Sequence, residues 1–326
     1  MSDQVVLVTG AGGFIGSHLV EAVHAAGRRV RAFVHYNSSN SWGWLGEIAK
    51  LSDMEVVSGD IRDYDSVSAA VAGCDTIFHL AALIGIPYSY VSPLAYVKTN
   101  IEGTYNILEA ARRHEVSNVL VTSTSETYGT AQYVPIDEKH PAVGQSPYAA
   151  TKIAADQLAL SYWRSFGLPV KVVRPFNTYG PRQSARAIIP NVVTQILAGK
   201  RRLNLGNLTP TRDLTFVEDT VAGFLAIARQ RECLGSATNI GMSTEISVGS
   251  LVEKIAGILG VEVEIMTDAD RVRAVDSEVE RLLCDNSRIR QLTNWQPQWD
   301  LDRGLLRTIE WIRQHQATYK ADIYNV

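Results

Sequence analysis

Short apolar runs alternate with amphipathic stretches along the first half of the chain. Runs at 4–9, 29–34, 54–58, 75–80, 118–123 and 169–174 are rich in Val, Ile, Leu and Phe. They have the length of strands rather than of buried helices. Helical patterns occupy 14–26, 65–72, 94–114 and 146–166 between them. Strands that are apolar on both faces, separated by helices, predict a parallel sheet covered on both sides. This is the doubly wound α/β class, whose ligands bind at the carboxyl ends of the strands. After RPFNTYGPR (174–182) the rhythm becomes irregular, with helical patterns at 185–199, 219–229, 247–259 and 302–315 among short strands and polar loops. The change predicts a smaller α/β domain that supplies substrate contacts. The expected division is 1–176 for dinucleotide binding and 177–326 for a nucleotide sugar, with segments near 211–240 able to return to the first sheet.

Composition narrows the classes. The 326 residues are 46% hydrophobic, enough for a large core. Formal net charge is −3, from 31 basic and 34 acidic residues with no basic block, so nucleic acid is not an expected partner. Cys74, Cys233 and Cys284 are far apart, show no metal-ligand spacing and suit a reducing cytoplasm. No run is apolar and long enough to span a bilayer, so no membrane association is expected.

The first candidate chemistry is VVLVTGAGGFIGSHL (5–19), with Gly10, Gly13 and Gly16 between a strand and a helix. Glycines permit a tight turn and close approach of backbone to a pyrophosphate, and the helix N-terminus offers free N–H groups. A strand before and a helix after are the context in which this pattern indicates a Rossmann-type dinucleotide site. The second strand ends FVHYNSSN (33–40), with neither an acid for a ribose 2′-hydroxyl nor an arginine for a 2′-phosphate. Tyr36, Asn37 and Ser38 can hydrogen-bond to either form, so NAD and NADP both remain open.

The second is SPYAATK (146–152), where Pro147 suits a first helical turn and Tyr148 and Lys152 share a face. An ammonium near a phenol is expected to lower its pKa, so that the tyrosine takes a proton near neutral pH. The third is TSTSETYG (122–129) at the end of an apolar run, which sets the carboxylate of Glu126 beside Thr124 and Ser125.

Together these segments resemble the extended short-chain dehydrogenase/reductases, specifically the NAD-dependent sugar epimerase/dehydratase family. The resemblance runs through VVLVTGAGGFIGSHL, HLAAL (79–83), TNIEGTYNILEAAR (99–112), TSTSETYG, SPYAATK, RPFNTYGPR and TRDLTFVEDT (211–220), nearly the whole chain. It is closest to the nucleotide-linked N-acetylglucosamine 4,6-dehydratases of nonulosonic (legionaminic) acid pathways, through YNSSNSWGWL (36–45), GTAQYVPIDEKHP (129–141), GPRQSARAIIP (180–190) and YKADIYNV (319–326).

The resemblance implies tightly bound NAD or NADP, regenerated each turnover. Phe14, Ile15, Asp60, Ile61, Leu80, Ala81, Ala82, Asn100, Tyr148 and Lys152 would join the glycines around it. Thr124 would hold the sugar O4, Tyr148 would act there as base, and Glu126 would take the C5 proton, with Ser125 as a relay. Ser89, Asn177, Arg182, Arg186, Arg212 and Arg271 or Arg273 would meet a nucleotide-diphosphate sugar, and Trp42 and Trp44 would close over the adenosine. A homodimer is implied as well. An epimerase has no use for Glu126, whereas a 4,6-dehydratase needs a base for C5. A 4-epimerase, a UDP-glucuronate decarboxylase and a NAD(P)-binding regulatory protein without turnover are the alternatives.

Overall fold

The computed structural model describes residues 4–48, 54–268 and 274–319. Strands of the first half are β1 (Val5–Thr9), β2 (Arg29–His35), β3 (Met54–Gly59), β4 (Cys74–His79), β5 (Asn118–Thr122) and β6 (Val170–Pro175). Those of the second half are β7 (Asn177–Tyr179), β8 (Arg202–Leu205), β9 (Thr211–Arg212), β10 (Leu214–Phe216), β11 (Ala237–Ile240), β12 (Ile246–Ser247) and β13 (Glu264–Thr267). A seven-stranded sheet runs β11-β6-β5-β4-β1-β2-β3, with every pair parallel. The six apolar runs of the first half are six of its strands. The seventh, β11, comes from the irregular half and pairs with β6 from Val172 to Pro175.

The pleat explains why β1 is apolar at every position from Val5 to Val8. Val6 and Val8 of β1 face one core, and Val5 and Leu7 face the other. The first core packs helices Phe14–Ala25, Ile188–Leu197, Val217–Arg229, Val248–Leu259 and Leu301–Gln314 on that face. The second packs Tyr64–Val71, Gly103–Arg113 and the long helix Pro147–Phe166 on the opposite face. Ser146 caps the helix Pro147–Phe166 by accepting from Ala149 N at 3.1 Å, and Gly167 ends it at φ 68°.

The helical pattern at 94–114 resolves into Pro93–Tyr96, π-helical turns over Val97–Glu102 and an α-helix Gly103–Arg113. Asn100 sits within the wider turns. Its amide donates to Leu83 O at 3.0 Å and Thr151 Oγ1 at 3.1 Å, and its oxygen accepts from Leu83 N at 2.9 Å. It thereby ties the loop after β4 to the helix Pro147–Phe166. Short pairs β7–β10, β9–β12 and β8–β13 lie outside the main sheet. Among the described residues, no helix is long and apolar enough to cross a membrane, and no group of three or more His, Cys, Asp or Glu is placed to hold a metal ion. Cys74, Cys233 and Cys284 are free and buried.

Candidate active site

A cleft of 1380 Å³ opens at the carboxyl ends of the strands, as the doubly wound class requires. One end is built by the turn after β1. Gly10 has φ +68°, and a Cβ there would stand 2.9 Å from Ala81 N. Thr9 Oγ1 pins the neighbouring segment by accepting from Leu80 N and Ala81 N, both at 3.1 Å, and it bonds His79 Nδ1 at 2.8 Å. His79 is held near pKa 3, first by burial and then by the charge of Lys152. Gly10, Gly13, Phe14, Ile15, Gly16, Asp60, Ile61, Leu80, Ala81 and Ala82 all line the cleft. A bare-backbone cradle at a helix N-terminus, open to a volume this large, fits a dinucleotide.

The tip of β2 differs from the sequence expectation. Asn37 lines the cleft, but its amide donates to His35 O at 3.1 Å and Ser41 O at 2.8 Å, and its oxygen accepts from Ser39 N. Tyr36 and Ser38 are exposed and lie outside the cleft walls. Arg62 grips the carboxylate of Asp60 at 2.5–3.0 Å and holds its pKa below the usual range. Trp42 and Gly43 line the cleft, while Trp44 turns onto Trp311 with ring centroids 5.1 Å apart.

This loop rests directly on the glycine turn. Trp44 N donates to Gly12 O at 3.0 Å, and a Cβ on Gly12 would collide with the carbonyl of Trp42. Gly12→Ala should therefore displace the loop and weaken dinucleotide binding by about tenfold or more, or roughly 1.4 kcal/mol. Fluorescence titration with NAD would measure this, and unchanged affinity would mean that the loop does not cover the cofactor.

The middle of the cleft comes from the end of β5 and the first turn of the helix Pro147–Phe166. Thr124 is extended (φ −158°) and caps the short helical turn Ser125–Tyr128 by accepting from Glu126 N at 3.2 Å. Thr124, Ser125, Glu126 and Tyr148 line the cleft, with Glu126 only 9% exposed. Burial pushes the Tyr148 phenol above its ordinary range. A hydrogen bond with Thr124 opposes that shift and the Glu126 charge reinforces it. Lys152 lies beneath the cleft wall and donates from Nζ to Thr122 O at 2.5 Å. Its pKa is drawn down to about 8 by burial, against the pull of Asp156. The expected lowering of Tyr148 by Lys152 is not found: burial dominates the phenol, and the one group that draws it down is Thr124.

The far end receives Asn177, Arg186 and Arg212. Asn177 Oδ1 is buried with no hydrogen-bond partner. Arg212 donates to Thr211 O at 2.9 Å and pairs with Glu278 at 3.4 Å. Arg182 lies outside the walls. Its φ of +69° turns the guanidinium back onto Glu21 at 2.7 and 3.1 Å and Ser17 Oγ at 3.3 Å. Ser89 also lies outside, fully buried and donating to Ile86 O at 2.6 Å. Arg271 and Arg273 fall outside the described residues. Arg62, Gln183, Asn207 and Glu278 line the cleft without having stood out in the sequence. Arg62 alone carried a signal, its place in SGDIRD (58–63).

Fold and site together define an extended short-chain dehydrogenase/reductase. The chain belongs to the family described as GDP-mannose 4,6 dehydratase, whose model matches residues 7–308. It is 33% identical over 319 residues to a dTDP-glucose 4,6-dehydratase of Streptomyces antibioticus, covering 97% of this chain and 94% of the relative. It is also 33% identical to a UDP-glucose 4-epimerase of Mycolicibacterium smegmatis, covering 94% of this chain and 98% of the relative. Among solved structures it is similar to the dTDP-glucose 4,6-dehydratase DesIV of Streptomyces venezuelae with NAD bound. The TM-score is 0.89 and the identity 28%, covering 97% of this chain and 99% of that one.

Proposed function

We propose that the protein is a NAD-dependent nucleotide-sugar 4,6-dehydratase acting on UDP- or GDP-linked N-acetylglucosamine and forming the 4-keto-6-deoxy sugar. The observation that carries this reading is a carboxylate, Glu126, on the cleft wall with Thr124 and Tyr148. NAD is favoured by the bound cofactor of the similar dehydratase structure, although the tip of β2 bears no acid that would exclude NADP. The N-acetylglucosamine assignment rests on the sequence resemblance, since the relatives named above act on glucose derivatives.

When bound, NAD supplies a hydride acceptor and donor. The chain's own groups handle protons. Thr124 and Tyr148 share the cleft wall, and the Thr124 hydroxyl draws the phenol's pKa down, so both converge where the sugar O4 would sit. Tyr148 takes the O4 proton as C4 is oxidised. The C5 hydrogen, now α to a ketone, is acidic and within the work of a positioned carboxylate. Glu126 removes it and delivers it to the departing C6 hydroxyl, which leaves as water with Ser125 alongside. When hydride is returned to C6, a solvent proton passed through Glu126 completes C5. Asn177, Arg186 and Arg212 would hold the nucleotide diphosphate, and the partnerless oxygen of Asn177 is suited to a donor on the ligand.

A 4-epimerase is the second reading, favoured by the similarity to the mycobacterial epimerase. Substrate deuterated at C4 separates the two. A dehydratase delivers the label to C6, whereas an epimerase leaves it at C4. Retention at C4 would sink the dehydratase reading. The reading also includes a cytoplasmic homodimer. Support comes from three free thiols and from exposed Val91, Leu94, Val97 and Tyr105, an apolar series suited to pairing two copies.

A further inference from the structure

Beneath the catalytic residues lies a buried ion pair that the proton chemistry above leaves unused. Asp156 follows Lys152 by one turn on the same helix face. Its side chain is 1% exposed. Oδ2 accepts from Ser123 Oγ at 2.7 Å and from Arg174 Nη2 at 2.8 Å and Nε at 3.1 Å. Oδ1 is equally enclosed and has no hydrogen-bond partner. Arg174 also donates to Tyr128 OH at 3.0 Å.

Two successive residues at the end of β5 are thereby fastened to the catalytic helix. Thr122 O accepts from Lys152, and Ser123 donates to Asp156. The next residue is Thr124. We propose that Asp156 is a positioning residue that locks the end of β5 to the catalytic helix and sets a negative charge one helical turn from Lys152. This rests on the reading of Lys152 as part of the catalytic set.

The surroundings of Lys152 leave the electrostatic part to Asp156. His79 on β4 is kept neutral by burial, and burial pushes the Tyr148 phenol on the same helix above its ordinary range, so neither adds a positive charge. Arg174 on β6 is positive and already engaged by Asp156, and Glu126 borders the open cleft on the β5 side. Burial draws the Lys152 ammonium down to about 8, and Asp156 is the group that opposes this. An apolar pair of similar volume would satisfy packing at least as well, because buried ion pairs seldom add net stability.

The test compares the wild-type holoenzyme with Asp156→Asn, Asp156→Glu and the double variant Asp156→Leu/Arg174→Met. Two quantities are followed against pH: kcat/KM, and the competitive acylation of Lys152 read by peptide mass mapping. In Asp156→Asn, the Lys152 labelling midpoint and the alkaline limb of kcat/KM should both move down by about 1 pH unit or more. Asp156→Glu should restore both. The apolar double variant keeps the site readable should Asp156→Asn fail to fold, and it should show the same downward move. An unmoved labelling midpoint in a folded variant, even with a lower Tm, overturns the proposal. A midpoint that moves without the kcat/KM limb supports the Asp156–Lys152 link and removes Lys152 from catalysis instead.

Discussion

Glu126→Gln is expected to lower turnover by about 10²–10⁴-fold, the usual worth of a positioned general base. Glutamine keeps the size of the side chain and much of its hydrogen bonding, and the backbone N–H that Thr124 caps is untouched. What disappears is the ability to accept the C5 proton. Thr124, Tyr148 and Lys152 remain, so C4 oxidation stays possible and elimination fails. In D₂O, deuterium entry at C5 should fall in parallel with turnover. A carboxylate that served only to cap or pair would give a nearly unchanged rate and unchanged exchange.

Tyr148→Phe should abolish turnover, with a loss of about 10²–10⁴-fold or more, because the O4 proton loses its acceptor. The ring lies against Tyr96 at 6.3 Å between centroids, a contact that phenylalanine keeps. Lys152, bonded to Thr122 O rather than to the phenol, should stay in place, so NAD affinity should change little. Kinetics and NAD titration on the same preparation check both halves. Wild-type turnover would show that another group takes the O4 proton, and lost NAD affinity would show that the hydroxyl also holds the cofactor.

The legible parts of this chain are those in which local sequence settles local structure. Six sheet strands are readable because each is a short, mainly apolar run bounded by a turn, even β3, which lies at the sheet edge and buries no residue fully, and the glycine turn is readable because strand, turn and helix are contiguous. The strand β11 is harder. Its four residues, Ala237–Ile240, carry a threonine and an asparagine that are buried only because the sheet edge of β6 receives them. The same limit applies to the site. Thr124, Glu126 and Tyr148 lie on the cleft wall through one strand end and one helix start. Arg182 instead depends on a left-handed backbone turn and on Glu21 in a distant helix, neither of which its neighbours in sequence announce. Glu278 and Asn207 reach the cleft from separate loops. The charge balance of Tyr148 and Lys152 is equally non-local, since helical spacing gives their common face but not the depth of burial that sets both pKa values.

Elimination of water is the step on which the role of Glu126 stands, and the mass of the product measures it most directly. The purified protein with NAD would be incubated separately with UDP- and GDP-linked N-acetylglucosamine and glucose, and the sugar nucleotides followed by mass spectrometry. A 4,6-dehydratase predicts loss of one water from an N-acetylglucosamine nucleotide, with no net consumption of cofactor. An isomer of unchanged mass would make the protein an epimerase, stoichiometric oxidation or reduction of the cofactor would make it a net redox enzyme, and either result would contradict Glu126 as the base that removes the C5 proton.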